Sequence, residues 1–187
     1  WGCLGKLETR WFNDAARRSL EWTRDQVSFT ELEALRRLPL TATEGPVTLV
    51  HGTLVHPERF EYLIEAGQGL DCARACRTLM CAVGHAHVPF VLEVDRRGHQ
   101  VRRLLTSAQE LSEVRLTNDP EQLRYVINPG SVGQPRDGDP RASYAILDAT
   151  DSRVWIRRIA YDIHTAQGKI RQAGLPGFLA DRLALGR

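Results

Sequence analysis

An α/β fold, a mixed sheet with helices on its outer faces, is what this sequence of 187 residues predicts. Three observations carry it. Helix and strand patterns alternate through the first half, and strand patterns cluster in the second. In addition, Val47-Thr48-Leu49-Val50 and Cys81-Ala82-Val83 are short apolar runs without alternation, as strands buried on both faces are.

The elements follow in order. Asn13 and Asp14 are placed to cap a helix running to about Val27, with Ala16, Leu20 and Trp22 at three- and four-residue steps. Ser28-Phe29-Thr30-Glu31 has capping-box spacing and opens a second helix, striped by Leu32, Leu35 and Leu38 and stopped by Pro39. Thr43 to Pro46 reads as a turn before the strand Val47 to Val50. Pro57 starts a helix reaching Ala66, Gly67 and Gly69 break it, and Asp71 to Met80 forms another. After the strand Cys81 to Val83, further strands are expected at Phe90 to Val94, Gln100 to Leu105, Tyr125 to Asn128, Ser143 to Leu147 and Val154 to Tyr161. The tail from Asp162 to Leu185 is helical with a break at Gly174 to Pro176. No composition shift marks an internal boundary, so residues 1–187 read as a single domain.

Composition excludes several function classes. The 25 basic and 23 acidic residues leave a formal charge of +2, too balanced for nucleic-acid binding driven mainly by charge. No apolar run approaches the roughly 20 residues that cross a bilayer and no signal-peptide pattern is present, so the expectation is a soluble, cytoplasmic protein without a membrane partner. Four cysteines, three of them close together at Cys72, Cys76 and Cys81, are too few and too local for a disulfide scaffold. Cys-x3-Cys on an apolar helix face reads as core packing rather than zinc ligation. The chain begins at Trp1 and its single methionine is Met80, which suggests a fragment.

Chemistry is concentrated where apolar strands end in glycine and polar side chains, the place where α/β folds put their sites. The segments are His51-Gly52, Gly84-His85-Ala86-His87 and Asn128-Pro129-Gly130-Ser131. In an extended segment His85 and His87 would point to one side with Cα atoms about 6.6 Å apart, in reach of one ion or of two ions about 3.5–4 Å apart. A lone His-x-His on a surface turn is commonly idle. Here Gly84 clears space beside the first histidine, and a separate strand delivers His51 before another glycine. Asn128-Pro129-Gly130 offers a rigid turn with free backbone donors, and Arg136 a bidentate fork for phosphate.

The ordered set Leu49-Val50-His51-Gly52, Val83-Gly84-His85-Ala86-His87-Val88-Pro89 and Val126-Ile127-Asn128-Pro129-Gly130-Ser131-Val132-Gly133-Gln134-Pro135-Arg136 resembles the calcineurin-like metallophosphoesterases, in particular their bacterial phosphodiesterase and protein-phosphatase-like branch. Tyr144-Ala145-Ile146-Leu147-Asp148 extends the likeness, which runs from about Trp11 to Pro176. The resemblance implies the C-terminal part of a four-layer α/β/β/α sandwich with mixed sheets. It implies two divalent metal ions, manganese, iron or zinc, with His51 and His85 on one and His87 on the other. It places Asn128, Gly130 and Arg136 at the end that meets a phosphate-ester substrate. The family's earlier blocks, Asp-x-His, Gly-Asp and Gly-Asn-His, do not precede His51. The general acid is therefore expected upstream of Trp1, and the chain alone is expected to be inactive. Asp162-Ile163-His164 and Gly138-Asp139 imitate two of those blocks, but their positions mark a helix start and a polar loop.

The resulting expectation is a metal-dependent phosphomonoester or phosphodiester hydrolase. The alternative is a non-catalytic metal-binding or interaction domain derived from that fold. His56, His99, Arg102-Arg103 and Arg157-Arg158 are expected to be solvated, and Trp11, Trp22 and Trp155 to pack.

Overall fold

The computed structural model describes residues 2–7, 9–10, 12–97, 100–105 and 109–187, and the helices that open at Asp14, Phe29 and Ile163 begin where capping residues place them. Trp11 and His99 lie outside the described residues. Contacts gather the chain into two units, Trp1–Pro39 with Asp162–Arg182, and Leu40–Tyr161 with Leu183–Arg187.

The first unit is helical. Helix α1 (Asp14–Gln26) opens with the Asn13 side chain accepting from the Ala16 N–H at 2.9 Å. Helix α2 (Phe29–Arg37) carries the expected capping box, with Glu31 Oε2 accepting from the Ser28 N–H at 2.8 Å and Ser28 Oγ from the Glu31 N–H at 3.3 Å. Further along the chain, α4 (Ile163–Gln172) and α5 (Gly177–Asp181) pack together through an Arg171–Asp181 ion pair and a Gln167 bond to the Ala180 carbonyl. Asp162 caps α4 by accepting from the Thr165 N–H and hydroxyl, so the Asp-x-His look-alike is a helix start as expected.

Among the described residues the second unit holds nine strands and α3 (Ala66–Ala75). One sheet has the order β1 (Thr41–Glu44), β2 (Val47–Val50), β3 (Met80–Ala82), β7 (Leu123–Asn128), β4 (Phe90–Asp95), β5 (Val101–Leu105). It is mixed: β2, β3 and β7 run parallel, and the flanking pairs are antiparallel. A smaller antiparallel sheet has the order β6 (Leu111–Arg115), β9 (Arg153–Ile159), β8 (Ala142–Asp148). Side-chain alternation splits the core into two halves. Val126, Leu92, Val94, Cys81 and Val83 form one apolar cluster with Cys72 and Ala73 of α3 and Cys76 just past its end. Tyr125, Ile127, Val91 and Met80 form the other, with Val114 of β6 and Val154 and Ile156 of β9. Three layers, helix, large sheet and small sheet, are thereby stacked within this unit. The three cysteines are free thiols in the core, as their spacing suggested.

Four expectations are corrected. Strand β1 and strand β6 were not anticipated: Thr41–Glu44 is exposed throughout and has no apolar signature, and pairing with β2 around Gly45 and Pro46 makes it a strand, leaving only those two residues of the expected turn. Strand β2 is buried on one face only, since Leu49 is 44% exposed. The helix expected from Pro57 to Ala66 is a single 3₁₀ turn, Pro57–Arg59, closed by Phe60 in the left-handed region at φ 52°. Gly67 and Gly69 do not break a helix but sit inside α3. A Cβ on Gly69 would lie 2.5 Å from Leu92 Cδ1, so glycine there lets the helix approach the sheet closely.

Candidate metal centre

Parallel pairing positions the first two histidines. Leu49 of β2 is level with Ala82 of β3, so two residues further on His51 stands beside Gly84, whose N–H donates to the His51 carbonyl at 2.9 Å. His85 follows, and its Nδ1 lies 3.1 Å from His51 Nε2, with ring centroids 4.8 Å apart. The close approach that needs glycine is at Gly52, where a Cβ would lie 2.7 Å from the Glu61 carbonyl oxygen. At Gly84 it would meet the His51 carbonyl at 3.4 Å, an ordinary contact, so the space expected from Gly84 is not decisive.

His85 and His87 do not share an extended segment. Both take left-handed backbone, φ 63° and 60°, which costs a non-glycine residue of order 1 kcal/mol and persists only when the surroundings enforce it. Their expected side-by-side geometry is therefore absent. His85 turns to His51, while the Nδ1–H of His87 donates to the Gln134 carbonyl at 2.7 Å. That bond selects the tautomer with the lone pair on Nε2, the arrangement in which metal-binding histidines are ordinarily held.

The third strand end braces the other two. Asn128, fully buried, donates from Nδ2 to the Gly84 carbonyl and accepts at Oδ1 from the Gly130 N–H, both at 2.9 Å. The Gly130 donor is thus occupied, and the free backbone donor expected there is not present. Gly130 sits at φ 86° with space for no Cβ, which would fall 2.8 Å from Ser143. Gln134 has two roles: its carbonyl holds His87, and its Oε1 accepts from Nε and Nη2 of Arg136 at 3.2 and 2.9 Å. The loop beyond is anchored by Arg158, whose side chain has no solvent exposure and pairs with Asp137 and the Arg141 carbonyl. Arg157 is exposed as expected, but Arg158 is not on a solvated face, because the period-2 alternation of β9 turns it inward. Asp139 serves Arg141 in a two-pronged pair, consistent with its place in a loop.

Burial and the positive charges of His51, His87 and Arg136 push the His85 imidazole down to about 4, and burial lowers His51 as well. Both rings are neutral at pH 7, the state a metal ligand requires. A histidine with a depressed native pKa binds protons more readily unfolded, so its contribution to stability is present above about pH 6.5 and is lost as pH falls toward 4. The urea midpoint is accordingly expected to drop between pH 7 and pH 4, and His85→Asn to flatten that dependence. An equal slope in the variant would contradict this.

Two nitrogens each about 2.1 Å from one ion, at an angle of about 90–110°, lie about 3.0–3.4 Å apart, and the His51–His85 separation falls in that range. The pair therefore fits as two ligands of a single ion. Among the described residues no three or more His, Cys, Asp or Glu side chains group to hold a metal, so neither a carboxylate nor His87 joins the pair. Tyr62, whose ring stacks on His85 with centroids 3.9 Å apart, and the positioning residues Gln134 and Arg158 were not anticipated. Gln134 stands inside a motif already singled out, whereas Tyr62 lay in a segment expected to be helical.

Comparison with known proteins places these features. The chain is 38% identical over 191 residues to an uncharacterized protein of Methanocaldococcus jannaschii, covering all of this chain and 72% of that one. It superposes with a TM-score of 0.80 and 38% identity on the crystal structure of a metallophosphoesterase from Sphaerobacter thermophilus, covering 100% of this chain and 74% of that one. A hypothetical protein from Pyrococcus horikoshii, at 21% identity and TM-score 0.68, shares the fold over 98% of this chain and 64% of its own. No family model matches the sequence.

Proposed function

Because the chain belongs to the calcineurin-like metallophosphoesterases, we propose that His51 and His85 hold one divalent metal ion and His87 a second, in a centre that hydrolyses a phosphomonoester or phosphodiester. The observation that carries this reading is the pair of neutral imidazoles facing each other at 3.1 Å, at the ends of adjacent parallel strands. Imidazole donors suit zinc and iron, and manganese would call for oxygen donors beside them. When bound, two such ions activate water and clamp the phosphate oxygens.

The protein's own residues prepare for that chemistry. Gln134 orients His87 through its backbone and Arg136 through its side chain, tying a metal ligand and a phosphate contact to one residue. Asn128 and Gly130 shape the loop from within, and the N–H groups of Arg136 not spent on Gln134 meet the phosphate. Three neutral imidazoles cannot balance two divalent cations, so this sequence by itself is expected to bind one ion weakly and to turn over slowly.

The test is elemental analysis and calorimetry of the 187-residue chain with manganese and zinc, together with hydrolysis of bis(p-nitrophenyl) phosphate. One weakly held ion, lost in His85→Ala, supports the reading. A folded chain that binds neither metal at millimolar concentration would favour a derived interaction domain instead. Among the described residues no helix is long and apolar enough to cross a membrane, and the proposed partner is a phosphate ester rather than a lipid surface or nucleic acid.

Arg136→Lys keeps the charge but loses the planar fork. It is expected to raise KM for a phosphate ester about tenfold while leaving bound metal unchanged. Unaltered kinetics with several substrates would return Arg136 to the role of a loop residue.

A further inference from the structure

We propose that Tyr62 is a positioning residue for His85: its phenol ring, laid face-on against the imidazole, holds the ring in the orientation that sets Nδ1 opposite His51. The ring centroids are 3.9 Å apart and the planes differ by 22°, the closest of the ring contacts around the centre. Tyr62 is 42% exposed, so burial does not account for its place. What fixes it is the backbone. Phe60 turns the chain with left-handed φ, the Glu61 carbonyl fits against Gly52, and Leu63, only 1% exposed, anchors the next residue in the core. With those residues fixed, Tyr62 is delivered onto His85.

His85 needs such a hold. It lies past the end of β3 in left-handed backbone, so no regular neighbouring strand residue confines its ring. A histidine has a broad, nearly two-fold χ2 preference, and a half-turn exchanges Nδ1 for a carbon. The contacts that resist rotation are the His51 nitrogen, the Phe60 carbonyl and the face of Tyr62. Stacking against one face fixes the plane of the imidazole, and within that plane the His51 nitrogen selects Nδ1 over the carbon, leaving the ligand preorganised before any ion arrives. The benefit for metal binding rests on the function proposed above. The orientation of His85 does not.

The experiment therefore has two readouts on the full 187-residue chain, comparing wild type with Tyr62→Phe and Tyr62→Leu. In the absence of metal, proton NMR reads the ring-current displacement of the His85 ring protons. With zinc added, calorimetry reads affinity. Tyr62→Phe retains the displacement and an affinity within twofold, since the ring and not the hydroxyl acts. Tyr62→Leu is expected to lose the displacement and to weaken zinc binding three- to tenfold, with its thermal midpoint little changed because the site is exposed. Unchanged His85 protons in Tyr62→Leu, or equal losses in Tyr62→Phe, would overturn the assignment. Wild type that binds no zinc would defeat the metal reading alone; the positioning role then stands if the ring nitrogen shifts that report the His51–His85 contact change in Tyr62→Leu but not in Tyr62→Phe, and falls if they are the same in all three chains.

Discussion

His85→Ala is expected to lower zinc or manganese affinity by at least about 100-fold, and His51→Ala by a similar factor. Both supply nitrogens to one proposed ion, 3.1 Å apart, and a divalent ion left with a single imidazole is held little better than by solvent. The stronger test is the double variant. Two ligands of one ion act as a unit, so losing both costs little more than losing either, whereas independent sites would lose affinity additively. His87→Ala belongs to a different ion in this scheme and is expected to spare the first. Calorimetry on the wild type and the four variants decides the matter, and strictly additive losses for His51 and His85 would refute a shared ion.

Arg158→Met is expected to destabilise the chain by about 3 kcal/mol. The guanidinium is without solvent exposure, and its partner Asp137 retains only 14% of its side-chain exposure, so removing one charge strands the other in a poorly hydrated place. Lysine is no substitute, since it cannot serve Asp137 and the Arg141 carbonyl with one planar group. The methionine chain fills most of the volume, so the loss reports electrostatics and hydrogen bonding rather than a cavity. Urea unfolding measures it. Because the pair anchors the loop that continues back to Arg136 and Gln134, the variant is also expected to weaken phosphate-ester use beyond the effect of stability. A loss below about 1 kcal/mol would show that the pair with Asp137 contributes little to stability.

How far such residues were legible varies with how local their physics is. Asn13, Ser28 and Asp162 announced their helix starts because a cap is satisfied within three residues of itself. His51, His85 and Asn128 stood out because apolar strands end there in glycine or a glycine-containing turn, and parallel pairing of β2, β3 and β7 necessarily gathers those ends. The family and the α/β class followed from the same short motifs and their order.

What the sequence by itself determined, then, is the set of strand ends, the donors they carry and the helices that begin at capping residues. Tertiary structure alone decided how those donors face one another. Left-handed backbone at His85 and His87 undid the extended geometry that two-residue spacing suggests, sending one ring to His51 and the other to Gln134. Contact with Gly52 and burial of Leu63 turned a helix-like stretch after Pro57 into the loop that carries Tyr62. Strand β1, polar and exposed, exists because β2 offers it an edge to bond. Pairing of β9 set Arg158 inward beside an aspartate 21 residues earlier. In each case the deciding partner is distant along the chain, and local propensity, worth at most about 1 kcal/mol per residue, yields to it.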